Sequence, residues 1–310
     1  MFLKHLINPR PSIILFFIVF CILFICIPLL KSPFELVFSH EWVSPIFVLI
    51  LGLLLPSFHA LGLNNLVYEK NIIRKDNLVL GVVFLLLCTP FLNTVLEWII
   101  SFSLLFFLNF ILETYQKEYP FSLLFNASLI VSVFSFISPN FLFFMLLIII
   151  SGINYSNLNW KNIWVSCLGI ALPYFFYFIY TFLFDKIFIF PTFETLHLIS
   201  FPNINDFKIS KIIWLSVLLI ISLLSFIELF QWLYKKSIRS RKSFLIIFFY
   251  FIFSLLLIIF GGLKSWYFLM TPLCVIIGNY FTYTKNKKIG NFLLLLFIIS
   301  SFYCRYSVVL

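Results

Sequence analysis

Apolar stretches long enough to cross a membrane follow one another along almost the whole chain. A membrane-spanning helix needs about 20 mostly apolar residues, and no polar segment between these stretches exceeds about 30 residues. With 63% hydrophobic and only 10% charged residues, the 310-residue chain is too apolar for a water-soluble protein. The sequence therefore predicts an all-α, polytopic transmembrane helix bundle that forms one integral membrane domain over residues 1–310, with no separate soluble domain.

Polar breaks divide the chain into about eleven candidate spans, within a range of about nine to twelve. The predicted spans are 12–30, 44–62, 77–92, 94–112, 121–138, 140–153, 163–184, 210–233, 243–261, 266–284 and 289–304. The stretches 77–112 and 121–153 are each long for one helix and short for two, and each has a proline at its middle, Pro90 or Pro139. Each of these two stretches is predicted to form either a tight hairpin that spans the membrane or a helix pair that enters and leaves the membrane on the same side.

Positive charges are distributed unequally between alternate loops. With the N-terminus in the cytoplasm, fifteen of the 21 Lys and Arg residues lie in cytoplasmic loops and six lie on the other side. The cytoplasmic set is Lys4, Arg10, Lys70, Arg74, Lys75, Lys117, Lys161, Lys235, Lys236, Arg239, Arg241, Lys242, Lys285, Lys287 and Lys288, and the outer set is Lys31, Lys186, Lys208, Lys211, Lys264 and Arg305. This excess follows the positive-inside rule and predicts a cytoplasmic N-terminus. We therefore assign the net charge of +10 to topology rather than to nucleic-acid binding.

Ionisable side chains inside a membrane are costly, which makes them default functional candidates. Glu97 and Glu228 are the only acidic residues within predicted spans, and both lie near helix ends, where an interfacial role and a cavity-facing role are both open. His59 follows Pro56 and is the only histidine in a span, so it either relays a proton or bonds a backbone carbonyl freed by the proline. No acidic residue occupies the middle of a span, which argues against a proton- or sodium-coupled carrier.

The predicted outer loops contain the residues that best suggest chemistry. The candidates are Glu41 and Glu35 as catalytic carboxylates, and Lys264, Lys186, His40, Trp266 and Tyr267 as substrate- or phosphate-binding residues. Together they predict a carboxylate base, a phosphate-binding lysine and an aromatic platform for a sugar, with ordinary solvated loops as the alternative. We expect no metal site, because no Cys or His residues have ligand spacing. We expect no cofactor other than a lipid-linked sugar donor.

Short motifs between residues 122 and 183 give a resemblance to a known family. They are Leu124-Phe125-Asn126-Ala127, Ser138-Pro139, Asn159-Trp160-Lys161-Asn162 and Gly169-Ile170-Ala171-Leu172-Pro173-Tyr174. In these motifs, and in length and span order, the chain resembles a bacterial family of multi-pass inner-membrane proteins of unknown function. This resemblance implies a polytopic membrane protein but no particular activity.

The segment 264–280, in which Trp266-Tyr267 leads into Thr271-Pro272-Leu273, gives a more distant resemblance. It is similar to late spans of the polytopic C-type glycosyltransferases that use polyprenyl-phosphate sugars. The resemblance implies an acidic catalytic residue in the first outer loop, at Glu35 or Glu41.

Three functions from different classes fit the sequence. The first is a cell-envelope enzyme of the bacterial inner membrane that transfers or polymerises a lipid-linked sugar at the outer leaflet. The second is a non-catalytic membrane subunit that docks a membrane or cytoplasmic protein partner through the basic residues at 235–242. The third is a transporter or flippase without a coupling-ion site. The sequence leaves open whether the protein is an enzyme, and also its substrate and oligomeric state.

Overall fold

The computed structural model describes residues 2–7, 9, 11–26, 45–88, 95–189, 208–261 and 265–309. Over these ranges it contains twelve α-helices, numbered α1 to α12. They are α1 (Phe2–Leu6), α2 (Pro11–Cys21), α3 (Pro45–Glu69), α4 (Val79–Leu87), α5 (Val95–Glu113), α6 (Phe121–Ser135), α7 (Phe144–Asn154), α8 (Trp160–Leu183), α9 (Ile209–Leu233), α10 (Ile238–Gly261), α11 (Trp266–Tyr283) and α12 (Lys287–Val309). A π-helical turn, Ile22–Cys26, extends α2, and a 3₁₀ turn, Pro139–Phe143, precedes α7.

Six of the described helices are long and apolar enough to cross a membrane. The crossing segments are Ile50–Glu69, Val95–Glu113, Trp160–Leu183, Ile209–Leu233, Ile238–Ile259 and Lys287–Ser307. Three shorter apolar helices are Pro11–Ile25, Phe121–Ser135 and Pro139–Asn154. The structure thus confirms an all-helical chain of membrane type, whereas the prediction of about eleven spans is not confirmed.

The predicted span 77–92 contains only the short helix α4. Its nine residues extend about 13 Å, less than half of the hydrocarbon thickness of about 30 Å. α4 therefore does not cross a bilayer by itself. Every residue of α4 is buried, and the helix runs antiparallel to α11. The carbonyl oxygen of Leu80 accepts a hydrogen bond from Cys274 Sγ at 3.2 Å, and that of Leu87 accepts one from Trp266 Nε1 at 3.1 Å.

Helix α11 is buried along almost its whole length and forms the centre of the described bundle with α4. A Cβ atom at Gly278 would lie only 2.5 Å from the Leu80 side chain, so glycine permits this close approach. Pro272 has no N–H to donate to the carbonyl of Phe268. The hydroxyl of Ser254, on α10, lies 2.9 Å from that carbonyl and 2.8 Å from the carbonyl of Tyr250 in its own helix, so the two acceptors share its one proton. A neighbouring helix thus satisfies the backbone group that the proline leaves free.

The motifs between residues 122 and 183 lie largely where α6 packs on α8. Ser132 Oγ donates to the carbonyl of Ile170 at 2.7 Å, across the two helices. A Cβ atom at Gly169 would lie 2.9 Å from the carbonyl oxygen of Phe125. Small residues of this kind let membrane helices approach closely. The residues that carry the family resemblance therefore have a packing role.

Loops predicted to be cytoplasmic meet at one end of the bundle, which we call the cationic end. Its contacts are Leu78 N to Leu6 O at 2.9 Å, Arg74 Nη2 to Ser237 Oγ at 3.0 Å, Asn154 Nδ2 to Lys242 O at 2.8 Å and Asn157 Nδ2 to Thr114 O at 2.7 Å. Residues predicted to be outside meet at the opposite end, where Lys208 Nζ donates to the carbonyl of Ser307 at 3.3 Å. That the cationic end faces the cytoplasm stays a prediction.

The bond between Ser254 and the Phe268 carbonyl predicts a stability difference that depends on Pro272. We expect Ser254→Ala to destabilise the protein by about 1 kcal/mol, because a buried carbonyl loses its donor. In a Pro272→Ala background, the new backbone N–H bonds the same carbonyl, so the cost of Ser254→Ala should shrink. Thermal unfolding in neutral detergent measures both costs.

Ser222→Ala is the matched control, because Ser222 is exposed and donates only within its own helix. It should cost little in either background. Equal costs of Ser254→Ala with and without Pro272 would contradict this account of α11.

Candidate functional site

Four of the predicted site residues lie outside the described residues: Glu35, His40, Glu41 and Lys264. Lys186, the other predicted phosphate-binding lysine, follows the end of α8. Its Nζ donates to the Tyr180 hydroxyl at 2.7 Å and lies 4.9 Å from the centre of that ring. The described contacts of Lys186 are thus within its own helix end, and they do not link it to the other candidates.

Trp266 and Tyr267, the predicted aromatic platform, are only 5% and 7% exposed. The Trp266 ring packs edge-on against Trp214 at 5.8 Å, and its indole N–H is already bonded to Leu87. Tyr267 packs against Phe141, with 6.4 Å between ring centres. Both rings are therefore part of the core, whereas the sequence pattern placed them at an exposed outer turn.

His59 is completely buried and links helices rather than facing a cavity. Its Nδ1 lies 3.4 Å from Ser101 Oγ on α5, and its Nε2 lies 3.4 Å from Thr271 Oγ1 on α11. Its ring stacks on Phe84 of α4, with 4.0 Å between centres. The sequence analysis expected a backbone carbonyl as partner, but the structure places hydroxyl groups there. A neutral imidazole suits them, because one ring nitrogen donates and the other accepts.

The two acidic residues of the predicted spans lie at opposite ends. Glu97 is half-buried in the first turn of α5, at the end opposite the cationic end. Glu228 is half-buried near the end of α9 and lines a cleft of about 350 Å³ between α9 and α11. We call it the cationic cleft; its lining residues are Leu224, Ile227, Glu228, Gln231, Trp232, Lys235, Tyr280, Tyr283, Thr284, Lys285 and Asn286.

The cationic cleft extends from the lipid-facing side of a span to water. Leu224 and Ile227 are exposed on the apolar span Ile209–Leu233, so they face lipid when that span crosses a membrane. Lys285 and Asn286 are exposed in the turn after α11. A molecule in the cleft would therefore contact apolar side chains at one end and water at the other.

Two lysines lie over two aromatic rings beside the cleft, and Arg74 is bonded to one of these rings through its backbone. Lys236 Nζ lies 4.5 Å from the centre of the Trp232 ring and 4.1 Å from that of Tyr283, and Lys75 Nζ lies 4.9 Å from the Tyr283 ring. The backbone N–H of Arg74 donates to the Tyr283 hydroxyl at 3.2 Å. We call Arg74, Lys75, Lys236, Trp232 and Tyr283 the cation–aromatic cluster. Cation–π contacts of this kind contribute about 0.5–1 kcal/mol at exposed sites.

The cluster concentrates positive charge without a matching acid. Burial, and then the charges of Arg74 and Lys75, lower the pKa of Lys236. The ion pairs of Lys70 with Glu69, Lys70 with Glu113 and Lys117 with Glu113 do not involve the cluster. Lys235 and Lys285 add two more cations in the cleft wall, and Glu228 adds one acid. Five cations against one carboxylate leave a surplus of positive charge that favours an anion there.

Trp232 adds a neutral donor to the same wall. It is 8% exposed, and its indole N–H is buried with no hydrogen-bond partner among the described residues. A buried donor without an acceptor costs free energy unless a ligand or water accepts from it. A neutral donor without an acceptor among the described residues thus lies within a residue that lines the cleft.

Sequence reasoning took these cations as evidence of topology, and those at 235–242 also as a docking surface for a protein partner, and it missed the site. The available signal was the spacing at two helix ends. Trp232 precedes Lys235 and Lys236 by about one turn, and Tyr283 precedes Lys285 by two residues. That the two helix ends meet is a property of the fold, because α9 and α11 are distant in sequence but packed together.

The described part of the chain is thus a membrane-type helical protein with a cationic cleft at one end. The family model of DUF6427, a family of unknown function, matches residues 1–308, and the chain belongs to this family. The match agrees with the family resemblance seen in the motifs, whereas the likeness to glycosyltransferases is not shown. No curated protein and no solved structure matches the chain significantly.

The position of His59 between two hydroxyl groups predicts an energetic coupling. We expect His59→Leu and Thr271→Val to be non-additive, with a coupling free energy of about 0.6 kcal/mol and at most about 1.7 kcal/mol, the range for such bonds in membranes. Thermal unfolding of the two single variants and the double variant in detergent gives this value.

Thr282→Val is the control for that cycle, because Thr282 Oγ1 donates to Gly278 within the same helix. Its effect should add to that of His59→Leu. Additive effects of His59→Leu and Thr271→Val would show that His59 does not join the helices through this hydroxyl.

Proposed function

We propose that this protein binds the head group of a phosphate-bearing lipid in the cationic cleft, as a multi-pass protein of a bacterial inner membrane. The observation that carries the proposal is the excess of positive charge, five cations against the carboxylate of Glu228, in and beside a cleft that is open to both lipid and water. A soluble anion would need contacts only at the water-exposed end of the cleft. An apolar wall that continues into a candidate span favours a ligand with a hydrocarbon part.

The depth of the charged groups supports a lipid phosphate in particular. Lys235 and Lys285 follow the ends of their helices, where long lysine side chains extend toward the head-group region. Tyrosine and tryptophan rings are favoured at the same level of the bilayer. Each Lys or Arg near an anionic membrane surface contributes about 1 kcal/mol of attraction. The cluster therefore supplies enough attraction for a specific lipid site.

The other functions have less support from the described contacts. Outer-leaflet sugar transfer rests on Glu35, Glu41 and Lys264, which lie outside the described residues, and it stays a prediction. Docking of a protein partner at 235–242 must compete with contacts inside this chain, since Arg239 lies over the Tyr115 ring at 5.5 Å and the Lys242 carbonyl is bonded. A transport path gains no support from the tightly packed α4 and α11.

Removal of charge from the cleft tests the proposed function. We expect the triple variant Lys235→Gln, Lys236→Gln and Lys285→Gln to weaken binding of phosphatidylglycerol by about 100-fold, because each cation contributes about 1 kcal/mol. Fluorescence anisotropy of a labelled phosphatidylglycerol, titrated with the full chain in neutral detergent, measures the affinity.

The matched control removes three charges at the same end but outside the cleft: Lys161→Gln, Lys242→Gln and Lys288→Gln. This variant should keep most of the affinity. Equal losses in the two triple variants would mean that lipid responds to total charge, and the proposed site would be wrong.

Lys236 predicts how binding depends on pH. Because the fold lowers the pKa of Lys236, its charge is lost below the ordinary value of 10.5, and an anion loses an attractive partner as pH rises through the lowered pKa. We expect affinity for phosphatidylglycerol to fall about fivefold over this window, since its phosphate stays ionised while one cation disappears.

Lys236→Arg is the control for this pH dependence, because a guanidinium stays protonated throughout the window. Its affinity should change little between neutral pH and pH 10. A parallel decline in the wild-type chain and in Lys236→Arg would assign the pH effect to other groups.

A further inference from the structure

Two polar side chains lie deeper in the cationic cleft than its cations. Helix α9 ends at Leu233, and Glu228 and Gln231 precede that end by five and two residues. At 1.5 Å per residue they lie about 8 Å and 3 Å further toward the middle of the span. Lys235 and Lys285 follow the ends of α9 and α11 and lie at the mouth of the cleft.

A lipid in the cleft would present its groups at fixed depths. Its hydrocarbon part reaches Leu224 and Ile227, and its phosphate meets the cations at the mouth. The backbone that joins chain and phosphate then lies at the level of Glu228. In a diacyl phospholipid this backbone carries two esters, which accept hydrogen bonds but do not donate them. An ionised carboxylate also only accepts, so it and an ester-only backbone do not fit each other.

We infer that the cleft selects a phosphate-bearing lipid with a free hydroxyl group in its backbone, as in a lysophospholipid. The inference rests on the proposed function and adds the substrate class. The hydroxyl donates to the Glu228 carboxylate, which interacts with the charge of Lys285 in the same wall but forms no hydrogen bond or salt bridge with another described residue. Gln231 is three residues further along the same helix face, and its amide can donate to the remaining ester.

Glu228 is therefore a specificity group rather than part of the phosphate site. A carboxylate among phosphate-binding cations weakens the attraction for any phosphate. A carboxylate at this position can instead discriminate between ligands that share that phosphate. A hydroxyl group on the ligand donates a charge-assisted hydrogen bond to the carboxylate, which offsets the repulsion between the carboxylate and the phosphate.

The test compares two ligands that differ in one donor. We expect the full chain in neutral detergent to bind lysophosphatidic acid about tenfold more tightly than the methyl ether of its free hydroxyl, as one hydrogen bond to a charged group implies. In Glu228→Gln the two affinities should become nearly equal, because the repulsion ends and the amide can donate to the ether. Glu118→Gln removes an exposed acid of the cationic end outside the cleft and should keep the tenfold preference.

The outcomes separate this inference from the proposed function. Equal binding of the two ligands by the wild-type chain, with both lost in the triple lysine variant of the cleft, would overturn the inference and leave lipid-phosphate binding standing. A preference that persists in Glu228→Gln would assign selectivity to another group and would also overturn it. If the triple lysine variant binds both ligands as tightly as the wild-type chain does, the proposed function is overturned as well.

Discussion

The close contact between α4 and α11 is the constraint on which the rest of the described structure depends. Both helices are buried, and Gly278 lets the Leu80 side chain lie against the α11 backbone. This contact fixes α11 along the bundle and so determines what its two ends can do. At one end, the hydrogen bond from the Trp266 indole N–H to the Leu87 carbonyl holds Trp266 in the core. Tyr283 at the other end reaches the loops of the cationic end and becomes the centre of the cation–aromatic cluster. One of the two most buried helices therefore supplies the residue on which the cationic site is built.

The cations of the cation–aromatic cluster repel one another, and a bound anion would reduce this repulsion most. Lys236 is partly removed from water and lies near two other cations, and both effects disfavour its charged form. The pKa of Lys236 in the fold is below that of the unfolded chain, so by linkage the protonated lysine costs stability at neutral pH. This cost is removed as pH rises from the lowered pKa to the ordinary value. Cation–π contacts with Trp232 and Tyr283 offset part of the cost. A site selected for stability alone would place a carboxylate there. An anion that arrives from outside removes the same repulsion, which is why the arrangement favours a binding role.

The sequence predicted the helical membrane class and the grouping of charged loops, because both follow from composition and loop spacing. It also predicted the turn at Pro139, where the 3₁₀ turn precedes α7, whereas Pro90, in the middle of 77–112, lies outside the described residues. It did not predict that α4 is too short to span, since an apolar run has no signal that separates a buried half-length helix from a crossing one. Trp266 was expected at an exposed interface because the sequence does not distinguish a tryptophan in the core from one at the membrane–water interface. The cleft itself needed the fold, because α9 and α11 become neighbours only after packing.

The two site hypotheses for this chain concern different ends and cannot describe one lipid. Helix α11 has 18 residues and extends about 27 Å, with Tyr283 at the cationic end and Trp266 at the opposite end. A phosphate held by Lys285 is therefore nearly a full hydrocarbon thickness away from Trp266. The positive-inside rule predicts that the cleft serves the cytoplasmic leaflet, and the sequence predicts Glu35, Glu41 and Lys264 at the outer one. Evidence for a lipid in the cleft would accordingly leave the outer-leaflet chemistry undecided, and each end has to be tested by itself.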